Sequence, residues 1–250
     1  MGALHAGHLA LVRRASRQAD RVVVSIFVNP TQFAPHEDLA NYPRRFGQDS
    51  AALARHQVDL IWAPSVSVMY PEGFSARIIP QGPAIVGLED AFRPHFFSGV
   101  ATVVAKLLTQ CMPDVAIFGE KDYQQLQVVR QLVCDFNFPV KIVGAPIVRE
   151  KDGLALSSRN IYLSPNERAI APVLHRVLKD CAGKIRIGRP LRQVLTAGRR
   201  TMQGAGFVVD YLEARHAETL QPATARRGGP LRLLVAAKIG KTRLIDNLEV

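Results

Sequence analysis

The run Val22-Val23-Val24-Ser25-Ile26-Phe27-Val28 constrains the fold of this chain more than any other stretch. It is almost entirely β-branched, lacks polar alternation and stops at Asn29-Pro30, which is how a strand buried on both faces of a parallel sheet reads. Asp114-Val115-Ala116-Ile117-Phe118 repeats the pattern, and Val58 to Trp62 and Val140 to Val143 are shorter versions of it. Helical segments fall between them: one begins at His5–His8 and carries Leu9, Leu11, Val12, Ala15 and Ala19. Others cover Gln48 to His56, Gly99 to Met112 (ended by Pro113), and the stretch after Asp122 to about Phe136. Strands alternating with helices over residues 1–147 predict an α/β fold, a Rossmann-like doubly wound parallel sheet. Ser65 to Pro94, rich in Pro and Gly, is the least regular part.

The pattern changes near residue 148. Ser164-Pro165 followed by Glu167 is a helix start, an N-cap and then proline at the first helical position. Helices near 165–180 and 190–203 precede strands at Val208 to Glu213, Leu231 to Ala237 and Thr242 to Ile245, so residues 148–250 read as a smaller α+β domain. Ala225 to Pro230 reads as a mobile connection between two of those strands.

Charge divides along the same line. Residues 1–147 carry 13 Lys+Arg against 12 Asp+Glu, whereas residues 148–250 carry 19 against 9. The basic residues are dispersed and not interleaved with aromatics. They suit a cover over an anionic small substrate, with no specific nucleic-acid partner. No apolar run approaches the length of a membrane span. Cys111, Cys134 and Cys181 are unpatterned and never C-x-x-C, as in a cytoplasmic protein with reduced thiols.

Chemistry gathers first at Met1-Gly2-Ala3-Leu4-His5-Ala6-Gly7-His8. His5 and His8 are three apart and so share one side of a helix start, where unpaired N–H groups and the dipole favour a phosphate. Gly2 and Gly7 let a ligand approach the backbone. With no cysteine nearby and no third ligand, zinc is not expected. Other polar residues follow strand ends, where open α/β sheets bind ligands. These are Asn29 and Gln32 after one strand, and Gly119-Glu120-Lys121-Asp122 with Gln124 and Gln125 after another. Ser157-Ser158-Arg159 adds two hydroxyls and a guanidinium. Taken singly, each has an ordinary reading as a helix-start lysine, a surface glutamine or a polar turn. Two phosphate-loop look-alikes fail. Gly240-Lys241-Thr242 has Val235 where the P-loop glycine belongs, and Gly204-x-Gly206 lacks its third glycine, Val209 standing there.

Together the stretches Met1–His8, Phe27–Phe33, Tyr42–Arg44, Gly119–Gln125, Asp152–Asn160 and Leu244–Asn247 resemble the pantoate–β-alanine ligase (pantothenate synthetase) family of the H-x-G-H nucleotidyltransferase superfamily, over the whole chain. The resemblance implies an ATP-dependent two-step ligation through pantoyl adenylate, in a cytoplasmic homodimer. It implies that ATP is bound by Met1, Gly2, Ala3, Leu4, His5, Ala6, Gly7, His8, Gly119, Glu120, Lys121, Asp122, Val148, Leu156, Ser157, Ser158 and Arg159. His8 is then the proton donor, and His5, Lys121 and Arg159 join it as the catalytic set. Pantoate falls to Gln32 and Gln125, with β-alanine near Gln32. Mg²⁺ is implied by the triphosphate, with Asp49 as the nominated carboxylate.

The chain departs from the family pattern twice. Where the family reads Arg-Pro-Gly-His-Phe-x-Gly-Val, this chain has Arg93-Pro94-His95-Phe96-Phe97-Ser98-Gly99-Val100, its histidine displaced by one residue. The family also carries an upstream segment with the first strand of the sheet. The natural chain is therefore expected to begin upstream, and the sequence as it stands to lack that strand and to fold less stably.

Overall fold

The computed structural model describes residues 2–33, 39, 42–223 and 229–250. Contacts divide the chain into two units, Met1–Glu120 with Gln124–Pro146, and Lys121–Tyr123 with Ile147–Val250.

In the first unit, helix α1 (Ala6–Ala15) leads into strand β1 (Val23–Ser25), a 3-10 turn Pro30–Gln32 and helix α2 (Phe46–Arg55). Strand β2 (Leu60–Trp62) and the short helices α3 (Val66–Met69) and α4 (Glu89–Phe92) precede the long apolar helix α5 (Phe96–Cys111). Strand β3 (Val115–Gly119), helix α6 (Tyr123–Asp135, its first residue grouped with the second unit) and strand β4 (Lys141–Ala145) complete it. The parallel α/β character holds, but the sheet consists of two separate parallel pairs, β1–β2 and β3–β4. The Val22–Val28 run is over-read. Only Val23–Ser25 forms ladder pairs, and Val23 is 44% exposed while its neighbour Val24 is 2% exposed. Strand alternation puts these two side chains on opposite faces, and Val24 packs in a core cluster with Val12, Val22 and Leu53.

In the second unit, helix α7 (Pro165–Ile170) opens with the capping box expected of Ser164 and Glu167. The helix read over 165–180 is in fact two, α7 and α8 (Val173–Arg186). Pro172 cannot continue the i to i−4 ladder and instead starts the second. Helix α9 (Leu191–Gly204) follows, then an antiparallel sheet β5–β6–β7 (Val208–His216, Leu231–Ile239, Thr242–Glu249). These strands run further than the sequence suggested, because each is extended by its partner's register. One face of the sheet packs Leu212, Leu233 and Leu244 against Leu174, Leu178 and Met202. Gly240 occupies the β6–β7 turn at φ +54°, a hairpin and not a phosphate loop. Of the Ala225–Pro230 connection, residues 225–228 lie outside the described residues.

Candidate functional site

His5 is the N-cap of α1 and His8 its third residue, and the two side chains cap the helix reciprocally. His5 Nδ1 accepts the Gly7 N–H at 3.1 Å, and His8 Nδ1 accepts the His5 N–H at 3.3 Å. Their ring centroids are 4.1 Å apart. Because a backbone N–H can only donate, each Nδ1 must be the acceptor nitrogen. In the neutral ring the proton then sits on Nε2. Sequence spacing put the two rings on one side; the capping geometry adds that both offer an Nε2–H donor.

The preceding loop is pinned from a distance. Asp49, in the first turn of α2 and 4% exposed, accepts the Ala3 N–H at 2.9 Å on Oδ2 and the Leu4 N–H at 2.8 Å on Oδ1. Ala3 itself has φ +49°, a left-handed conformation that an L-alanine adopts only when its surroundings impose it. The carboxylate nominated for a metal is thus employed on backbone amides. Among the described residues, no group of three His, Cys, Asp or Glu could hold a metal ion. Met1 lies outside the described residues.

Helix α1 packs over the end of β3, where Leu11 lies within 4.0 Å of the Cβ position of Gly119. Glu120, next along, folds over Gly144 of β4. On the acceptor side, Asn29 caps the turn that carries Gln32. Its Nδ2 donates to Gln32 Oε1 at 3.1 Å and to the Gly99 carbonyl at 3.2 Å, while its Oδ1 accepts the Tyr70 hydroxyl at 2.9 Å. Burial raises the Tyr70 phenol, more than its hydrogen bonds to Thr31 and Asn29 lower it, and so keeps it a donor. Arg93 donates to the Gln32 carbonyl at 2.9 Å. With its oxygen engaged, the Gln32 amide presents its NH₂. Gly99 is required here, since a Cβ would lie 2.6 Å from the Thr31 carbonyl oxygen. Gln124 is buried and structural, its amide spanning Glu89, Pro83 and Asp90. Gln125 is half-buried, and its amide makes no hydrogen bond among the described residues. Tyr70, Arg93 and the support role of Asn29 were missed by sequence reasoning. The Asn-Pro at a strand end signalled a turn but not its long-range partners.

The second unit holds the remaining candidates. Lys121 and Asp122 form the 3-10 turn after β3, and the half-buried Lys121 makes no ion pair among the described residues. Val148 and Leu156 meet directly, the Leu156 N–H donating to the Val148 carbonyl at 2.9 Å across a tight hairpin. Ser157 caps the 3-10 turn Ser158–Tyr162 by accepting the Arg159 N–H at 3.2 Å, so its hydroxyl is already partly engaged.

Comparison with known proteins bears on these arrangements. The family described as pantoate-β-alanine ligase matches residues 1–249. The pantothenate synthetase of Rhodopseudomonas palustris (strain ATCC BAA-98 / CGA009) is 63% identical over 250 residues, covering 100% of this chain and 88% of that protein. The one from Nitrobacter winogradskyi is 64% identical with the same coverage. The structure of pantothenate synthetase from Thermus thermophilus superposes with a TM-score of 0.96 at 51% identity, covering 100% of this chain and 90% of that one. A pantoate-β-alanine ligase from Francisella tularensis, described as complexed with β-γ ATP and β-alanine, gives 0.81 at 38% identity and 100% and 87% coverage. This chain belongs to the pantoate–β-alanine ligase family.

Proposed function

We propose that the His5–His8 helix start, Lys121 and the Ser157–Arg159 turn act on ATP, and Gln32 and Gln125 on pantoate, in the ligation of pantoate to β-alanine. The observation that carries this reading is the reciprocal cap of His5 and His8 on a loop fixed by Asp49. It orients two imidazoles, each with its proton on Nε2, as preorganised donors beside a helix N-terminus.

In the first step a pantoate carboxylate oxygen attacks the α-phosphorus of ATP, the bond to the bridging oxygen breaks, and pyrophosphate leaves. In the second, the β-alanine amine attacks the acyl carbon of pantoyl adenylate, and AMP departs as the amide forms and the ammonium proton is lost. In-line phosphoryl chemistry asks the protein chiefly for positioning and positive charge. His8 Nε2–H is the donor to the departing pyrophosphate, His5 its partner, and Lys121 and Arg159 are cations for the phosphate oxygens. The Gln32 NH₂ faces pantoate and the incoming β-alanine. Mg²⁺, when bound, screens the triphosphate charge. We assign Asp49 to loop fixation rather than to that metal. Three free thiols and the absence, among the described residues, of a helix able to cross a membrane are compatible with a cytoplasmic enzyme, which we take to be a homodimer without a specific nucleic-acid partner.

The test is ATP–pyrophosphate exchange with and without pantoate. Exchange should require pantoate and proceed without β-alanine. Exchange that is equally fast without pantoate, or supported by an unrelated carboxylic acid, would overturn the assignment of acceptor.

A further inference from the structure

The Leu244–Asn247 stretch contains two buried polar residues whose place in the reaction is not explained by substrate contact. Asn247, 2% exposed near the end of β7, donates from Nδ2 to the backbone carbonyl of Lys121 at 3.0 Å, 126 residues away. Its Oδ1 accepts Arg232 Nε at 2.9 Å, which settles the orientation of the amide. The Arg232 guanidinium lies 4.0 Å over the ring of Tyr123, and the Tyr123 hydroxyl donates to the Ala217 carbonyl at 2.9 Å. Behind Asn247, Asp246 accepts the Asn247 N–H at 2.8 Å and takes Arg149 on both oxygens, at 2.7 and 2.9 Å. Two contacts with the C-terminal sheet and one with the residue after β5 thus tie Lys121 and Tyr123 to the second unit, and Lys121–Tyr123 group with that unit although they follow Glu120 directly in the chain.

A lysine side chain is a flexible four-carbon stem, so the reach of its ammonium is set by where its backbone is held. We infer that Asn247 is a positioning residue for Lys121: by holding the Lys121 carbonyl it fixes the root of the cation that meets the phosphates, and Arg232 keeps the amide turned to do so. This inference rests on the reading of Lys121 as a phosphate-facing cation. Its physical basis is that a small displacement of a catalytic group costs far more in rate than in affinity.

The experiment is single-turnover formation of pantoyl adenylate by the full chain, with ATP, Mg²⁺ and pantoate, in Asn247→Asp, Lys121→Ala and the double variant. Asn247→Asp is isosteric but sets an acceptor against the Lys121 carbonyl. It should lower the adenylation rate roughly tenfold or more, with the KM for β-alanine in the second step unchanged. Lys121→Ala should be slower still, and adding Asn247→Asp to it should change the rate by less than about twofold, because one residue acts through the other. Multiplying losses in the double variant, or an unimpaired Asn247→Asp beside a crippled Lys121→Ala, would overturn the inference while leaving the role of Lys121 standing. An unimpaired Lys121→Ala would overturn both. If circular dichroism shows Asn247→Asp unfolded, Asn247→Ser, too short to reach the carbonyl, is judged by the same criteria.

Discussion

His8 accepts the backbone N–H of His5 through Nδ1 at 3.3 Å, so a single imidazole closes the helix start and, when neutral, carries its proton on Nε2. The two jobs can be separated. In His8→Asn the amide oxygen takes over the Nδ1 position, whereas His8→Ala removes both functions. Both variants should slow adenylate formation by about two orders of magnitude, the scale of a lost transition-state donor, with ATP affinity falling much less. Only His8→Ala should also lose about 1 kcal/mol of stability, the value of a cap. Rapid-quench kinetics with urea melts reads both, and single-turnover adenylation at the parental rate in either variant would end the assignment.

Asp49 allows a comparable separation between a loop role and a metal role. Asp49→Ala leaves two amides of a part-buried loop without acceptors, at a cost of about 1–3 kcal/mol each. Asp49→Asn retains one acceptor and should fall between. Because the carboxylate is engaged by Ala3 and Leu4, the Mg²⁺ concentration for half-maximal adenylation should stay within about twofold of the parent's, while the rate drops through loss of loop preorganisation. A large rise in the Mg²⁺ requirement, with stability unchanged, would return Asp49 to the metal.

Gln125 and Gly99 test the acceptor side by different routes. Gln125→Ala should weaken pantoate binding in calorimetry and leave ATP binding intact. Gly99→Ala should do likewise indirectly, because its new methyl meets the Thr31 carbonyl and displaces the turn that bears Gln32. Overpacking of this kind also costs stability, typically about 1–3 kcal/mol. If Gln125→Ala abolishes ATP binding and spares pantoate, the two subsites are exchanged.

What was legible in the sequence was local. The α1 start, the Ser164 capping box and the change from alternating strands and helices to two helices followed by three strands each depend on residues a few positions apart. What was not legible depends on distance. Asp49 meets Ala3 and Leu4 across 46 and 45 residues, Asn29 meets Gly99 across 70, and Asn247 meets Lys121 across 126. Hydrophobic patterning also could not say how many neighbours a strand would have. The same valines that suggested a doubly buried strand therefore left Val23 on an open face. Pro172 was a readable helix break that the 3.6-residue periodicity on either side concealed.

The three thiols should separate by reactivity. Cys134 is exposed, Cys111 is partly buried and its thiol is raised by that burial, and Cys181 is buried and pushed up to about 11 by burial with Asp180 nearby. The thiolate is the nucleophile. At pH 8 iodoacetamide should therefore modify Cys134 first, Cys111 slowly, and Cys181 only after denaturant, as read by peptide mass spectrometry. Prompt labelling of Cys181 in the native protein would contradict the packing of α8 against α9.

Acid should expose the contribution of Asp246. Its buried carboxylate is held by Arg149 at 2.7 and 2.9 Å, and His175 Nδ1 stands at 3.6 Å. Burial alone would raise this carboxyl, but the His175 ring and the Arg149 guanidinium outweigh it and hold it below its ordinary 3.8. A carboxyl lower in the folded than in the unfolded chain stabilises the fold fully above its unfolded value. That stability is lost as pH falls through the folded one. Asp246→Asn leaves the half-buried Arg149 without its counter-charge and should cost about 1–3 kcal/mol at neutral pH. The gap between parent and variant in urea melts should hold from pH 7 to about 5 and narrow below about pH 4, where the unfolded carboxyl takes up its proton. A gap that stays constant down to about pH 3 would mean that Asp246 acts by shape and hydrogen bonding, with its charge contributing nothing to the pairing with Arg149.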